Sequence, residues 1–142
     1  MKYLILCIAI FIFGKAGFAQ EAKQATPPAS VKSAFVKKFP GSSNTKWEKE
    51  GADYEANFSV DKKKMSAVFS ETGELKETES AIKMSELPPA IGKYINEHFQ
   101  SAKIKETVKI TKANGVVNYE VEINKKDLLF DENGKFIGEE KD

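Results

Sequence analysis

The chain has 142 residues, 41% of them hydrophobic and 30% charged, enough to bury one core of domain size. Its 22 lysines and arginines are interspersed with 21 aspartates and glutamates, which excludes the one-sided basic surface of a nucleic-acid binder. A single cysteine and a single histidine exclude a disulfide framework and any cysteine-rich metal site.

Residues 1–19 read as a secretory signal peptide. Lys2 supplies a basic start, and Tyr3 to Phe13 form an apolar run too short to span a bilayer. Gly17 and Ala19 then place small residues at −3 and −1 of a cleavage site. Cleavage removes Cys7, so the mature chain from Gln20 has no thiol for catalysis or metal binding. The expected destination is the periplasm or the exterior, with no transmembrane segment after cleavage. Residues 20–26 form a short N-terminal segment.

A first unit is expected over residues 27–84. Val31, Ala34, Phe35 and Phe39 fall at i, i+3, i+4 and i+8, one apolar stripe on a helix of about three turns. Thr26 is a candidate N-cap, Pro27 suits a first helical turn, and Pro40-Gly41 stops the helix. Alternation then predicts strands around Trp47, from Tyr54 to Val60 and from Met65 to Phe69. A fourth runs from Glu74 to about Met84. Lys62-Lys63-Lys64 reads as a solvated hairpin tip, and Gly73 as the positive-φ residue closing a type I turn.

A second unit is expected over residues 85–142. Ile91, Tyr94, Ile95 and Phe99 repeat the helical stripe, with Ser85 as candidate N-cap, Pro88 in the first turn and an end near Gln100. Strands follow through Val108 and Ile110, through Val117, Tyr119, Val121 and Ile123, and through Leu128 and Phe130, all with these apolar residues turned to the core. Gly134 matches Gly73. The correspondence of Tyr54–Leu75 with Tyr119–Phe136 predicts an α+β fold of two layers: a tandem repeat of helix plus four-stranded antiparallel sheet, with the helices on one sheet face and the two units sharing one domain.

Catalytic chemistry is hard to find. His98 falls at the edge of the second helical stripe, and no partner in sequence would orient its ring. Asp131-Glu132-Asn133-Gly134 resembles a fragment of a calcium loop but lacks the twelve-residue spacing and the closing glutamate, so a turn is expected. No nucleophile motif, phosphate loop or dinucleotide fingerprint occurs. The expectation is no enzyme, no catalytic residue, no metal and no cofactor.

What remains is the face of the sheet turned away from the helices. It should carry Glu55, Asn57, Ser59, Ser66, Val68, Ser70, Glu120, Glu122, Asn124 and Leu129. Val68 and Leu129 occupy matching positions as apolar residues on a wet face. The candidate partner-binding residues are Glu55, Asn57, Val68, Glu120, Glu122 and Leu129.

Val31-x-x-Ala34-Phe35-x-x-x-Phe39-Pro40-Gly41, Lys46-Trp47-Glu48 and Tyr54-Glu55-Ala56-Asn57-Phe58 resemble the PepSY-like family of small secreted bacterial proteins, also called β-lactamase-inhibitor-like. Leu87-Pro88, Tyr119-Glu120-Val121 and Phe130 to Lys135 resemble it again. The resemblance implies a fold like that of the β-lactamase inhibitor protein, whose sheet face grips its enzyme, and a periplasmic or extracellular location. It transfers no contact residue and does not imply inhibition of a β-lactamase. Protease modulation, suggested by the PepSY name, is an analogy of fold. The leading expectation is a non-catalytic binding module for an envelope or secreted protein. The alternative is a small-ligand binder with a pocket between sheet and helices.

Overall fold

The computed structural model describes residues 24–141, and the signal peptide expected at residues 1–19 lies outside the described residues. The elements follow as α1 (Ala29–Lys38), β1 (Ser43–Glu50), β2 (Asp53–Val60), β3 (Lys63–Phe69), β4 (Leu75–Ala81), a 3-10 turn (Met84–Glu86), α2 (Pro89–His98), β5 (Ile104–Lys112), β6 (Val117–Ile123), β7 (Lys126–Asp131) and β8 (Phe136–Lys141). Among the described residues, no helix is long and apolar enough to cross a membrane.

The strand order corrects the expected architecture. The chain is not a tandem repeat of a helix plus a four-stranded sheet, because all eight strands lie in one antiparallel sheet in the order β1 to β8. The join is the β4–β5 ladder, which pairs Glu77 with Lys112, Thr78 with Thr111, Glu79 with Ile110, Ser80 with Lys109 and Ala81 with Val108. A separate four-stranded unit would leave the backbone groups of β4 and β5 open as sheet edges. Pairing them across the α2 crossover satisfies both.

Both helices dock on the same face. Residues directly opposite in a ladder share a face, and Ala56, Ala67, Thr78, Thr111 and Val117 form one such row from β2 to β6. On this face Val31 and Phe35 of α1 pack against Ala56, Phe58, Ala67 and Phe69. Ile91 and Ile95 of α2 pack against Val121, Ile123, Leu128 and Phe130. Phe35 is the hub of the first core, with edge contacts to Trp47 at 5.2 Å and Phe58 at 4.9 Å between ring centroids. Tyr94 stacks on Phe136 at 4.9 Å in the second.

Several local expectations are corrected. Thr26 and Ser85 do not cap the helices; Pro28 and Pro88 hold the N-cap positions, with no side-chain cap bond. Their carbonyls accept from Lys32 N–H at 3.1 Å and Ile91 N–H at 3.0 Å, so the first turns close through the backbone. Ser85 lies in the 3-10 turn, where the Glu86 carboxylate instead accepts from Lys83 N–H at 2.8 Å. Strand β4 ends at Ala81 rather than near Met84, after which Ile82 N–H donates to Thr107 O at 3.0 Å.

The largest difference concerns Val108 and Ile110. Alternation alone assigns them to the helix-facing core. Val108 pairs with Glu120 and Ile110 with Asn118, which places both on the opposite, open face. The helix side of β4 and β5 carries Thr78, Ser80, Lys109 and Thr111 instead. Burial therefore changes sides at the middle of the sheet, in the strip between the two helix-covered cores.

Candidate functional site

The ladders bring the six residues expected to bind a partner onto one face. Glu55 pairs with Val68, Asn57 with Ser66, Glu120 with Leu129, and Glu122 with Asp127. Crossing β4 and β5 adds Glu77, Glu79, Val108 and Ile110 between them. One row reads Asn57, Ser66, Glu79, Ile110, Asn118 across five strands.

This face is far drier than a solvated sheet surface. Val108, Ile110 and Leu129 form a buried apolar cluster of their own, and Val68 is buried as well. Glu55, Ser66, Glu79, Asn118 and Glu122 are buried polar residues, with Ser66 at 0% and Glu79 at 2% exposure. Both helices lie on the other side.

Dry surroundings act on the carboxyls. Burial, reinforced by the charges of Glu120, Glu77 and Glu55, pushes the Glu79 carboxyl up to about 9. Burial and the charge of Glu50 push Glu55 up to about 7, against a smaller opposing pull from the Ser66 hydroxyl. Glu77 is raised by burial, with Lys112 opposing, and Glu106 is raised by burial, with Lys64 opposing. Glu79 therefore holds its proton at neutral pH. Lys105 Nζ reaches Glu122 Oε1 at 2.6 Å.

Among the described residues, Ser66 Oγ and Glu79 Oε1 are sealed from solvent and make no hydrogen bond of good geometry, Ser66 lying against Glu55 and Glu79 against Glu77. Ser66 was expected on this face though not among the candidate contacts, whereas Glu79, Val108 and Ile110 were not expected on it. The available signal was phase. Val108 and Ile110 alternate out of step with Thr107 and Lys109, whose ladder partners, Val121 and Tyr119, lie on the helix side.

The other sequence candidates are structural. Asp131 Oδ1 accepts from Asn133 N–H and Lys135 N–H, each at 2.9 Å, so the calcium-like segment is a turn closed by its own aspartate. His98 is exposed, its ring 4.3 Å from that of Tyr94. Among the described residues, no group of three or more histidines, cysteines, aspartates or glutamates is placed to hold a metal ion. Open clefts of about 310 Å³ and 360 Å³ lie between helix and sheet, one lined by Ala34 and Lys37 of α1 with Phe69, Gly73 and Leu75, the other by Ala90 and Tyr94 of α2 with Gly134 and Phe136.

The sequence profile of the beta-lactamase-inhibitor-like, PepSY-like family matches residues 52–138. No match is found among curated proteins. Among solved structures, a Bacteroides eggerthii protein described as periplasmic superposes with a TM-score of 0.77 at 17% identity, covering 82% of this chain and 90% of that one. A BLIP-like protein of Bacteroides fragilis gives 0.66 at 24% identity, with coverage of 84% and 89%. A DUF2874 family protein of Bacteroides uniformis gives 0.70 at 18% identity, with coverage of 82% and 90%. At these identities the likeness is one of fold.

Proposed function

Because this chain belongs to the PepSY-like, beta-lactamase-inhibitor-like family, we propose that it is a non-catalytic, exported binding module that engages a protein partner through the open face of its sheet. The observation that carries this reading is the apolar cluster of Val108, Ile110 and Leu129 on the face that neither helix covers. A hydrophobic strip ringed by polar side chains is the usual composition of an interface centre and its rim. The periplasmic description of a neighbour of the same fold agrees with the leader read at residues 1–19. Glu55, Asn57, Val68, Glu120, Glu122 and Leu129 are the proposed contacts, joined by Val108 and Ile110.

The test is capture by immobilised protein from periplasmic and secreted extract of its own source, beside the variant Val68→Ala, Leu129→Ala, Glu120→Gln. A protein held by the parent and lost from the folded variant supports the reading. Equal capture by both would remove the open face from consideration. The ligand-binder alternative rests on the two clefts between helix and sheet, both open to solvent.

A further inference from the structure

The two helices dock alike, but the clefts beside them are filled differently. Helices α1 and α2 are both ten residues long and bury corresponding pairs, Val31 and Phe35 in one, Ile91 and Ile95 in the other. Their sixth positions are Ala34 and Tyr94. On the sheet, Leu75 lies opposite Phe69 between β3 and β4 as Phe136 lies opposite Phe130 between β7 and β8. Beside α2 the Tyr94 ring stacks on Phe136 at 4.9 Å, meets Phe130 edge-on at 5.4 Å and carries His98 at 4.3 Å. Beside α1 the corresponding side chain stops at the Ala34 Cβ, and a Cβ built on Gly73 would stand 3.4 Å from it. These two residues, with Leu75 and Phe69, wall the cleft of about 310 Å³. Gly73 is half-buried there, whereas Gly134 beside α2 is buried.

The second observation is charge. Lys37 and Lys38 line the same cleft, are exposed, and take part in no ion pair among the described residues. The described residues that line this cleft include no acid. The corresponding positions of α2 hold Glu97, paired with Lys93 at 3.9 Å, and His98. We propose that the α1 cleft binds a free aromatic carboxylic acid, its ring against Ala34 and Leu75 in the place that Tyr94 fills beside α2, and its carboxylate at the ammonium groups of Lys37 and Lys38. The proposal deepens the ligand-binder alternative and does not depend on the open-face reading.

Size and exposure both suit a ring. A cavity of about 150 Å³ accepts benzene, so about 310 Å³ holds a ring and a short arm that bears the acid. The walls that the ring reaches, Ala34, Gly73 and Leu75, are half-buried rather than sealed, with Phe69 nearly covered beneath them. Covering this apolar surface supplies the affinity. An exposed lysine adds little to binding by itself, so the pair acts chiefly to select an anion over a neutral ring of the same shape.

The experiment is an amide chemical-shift titration of the isotope-labelled chain with 3-phenylpropanoate, beside the neutral 3-phenylpropan-1-ol and the ring-free hexanoate. The expected result is shifts at Ala34, Gly73 and Leu75 with a Kd of about 1 mM or tighter for phenylpropanoate, and affinities lower by about threefold or more for the other two. Ala34→Tyr, which gives α1 the ring of α2, should abolish binding while melting at or above the parent temperature. The double variant Lys37→Gln, Lys38→Gln should weaken phenylpropanoate by about fivefold and leave phenylpropanol unchanged, a split that a merely structural role would not produce; it decides the matter if Ala34→Tyr fails to fold. No shift in the α1 cleft up to about 10 mM, equal shifts beside Gly134, an alcohol bound as tightly as the acid, or a folded Ala34→Tyr with unchanged affinity would each overturn the aromatic-acid site. The capture test of the open face stands whichever of these is found.

Discussion

Glu79 is a buried acid on a face with no helix over it, and its proton is part of the fold. An acid whose pKa is raised by folding binds more protons folded than unfolded, so its contribution is complete below about 4.5 and is lost as pH climbs to the folded value. For Glu55 that window closes near 7 and for Glu79 near 9. Thermal melting should therefore drop steadily from pH 5 to pH 9. Glu79→Gln should flatten the decline and exceed the parent at pH 8 by about 1 kcal/mol or more; a parallel decline in both proteins would mean Glu79 is ionised in the folded state. Gly73 makes the opposite demand. It sits at φ +88° in the β3–β4 turn, and a Cβ there would meet Ser30 O of α1 at 2.8 Å. Gly73→Ala combines backbone strain with a clash and should cost about 1–3 kcal/mol in chemical denaturation, whereas Gly51, in open space, tests strain alone. Both turn glycines singled out in the sequence, Gly73 and Gly134, were legible because turn chemistry is local. The proton on Glu79 was not, because it depends on strands 24 to 41 residues away.

Each helix is held by very few side chains. Helix α1 buries only Val31 and Phe35, and α2 only Ile91 and Ile95. Neither has a side-chain cap, so docking rather than intrinsic propensity must sustain ten-residue helices. Phe35→Ala removes the ring that meets Phe39, Trp47, Phe58 and Phe69, and should cost about 3–5 kcal/mol. Val36, on the neighbouring turn surface at 63% exposure, should change stability by less than about 0.5 kcal/mol when replaced by serine. Comparable losses at both positions would mean that α1 is held by something other than its stripe. These helices were legible because a 3.6-residue period needs only the sequence of one element. Their caps were misread because a proline carbonyl can close a first turn without a side-chain oxygen.

At the scale of the molecule, the β4–β5 ladder makes two helix-covered cores into one sheet. Cooperativity follows from that continuity. Trp47 fluorescence reports on the first core and amide exchange in β6 and β7 on the second, and denaturant should unfold both at one midpoint. Placing proline at Lys109, in the middle of the joining ladder, removes a backbone donor there; the two midpoints should then separate or fall together. Two midpoints in the parent protein would show that the ladder does not couple the cores. The same continuity creates the open strip, since β4 and β5 lie between the helices and turn their apolar side away from both.

The sequence by itself determined which segments are helices and strands, where the turns close, that a leader is expected, and that Glu55, Asn57, Val68, Glu120, Glu122 and Leu129 share a face. All of these rest on periods of 3.6 or 2 residues and on local turn chemistry. Only the tertiary structure decided that the strands form one sheet and that Val108 and Ile110 face away from the helices. It alone placed Ser66 and Glu79 beside each other in a dry spot. Alternation along a strand reports that its two sides differ, but which side faces the helices depends on the register with neighbouring strands, and register is a property of pairs.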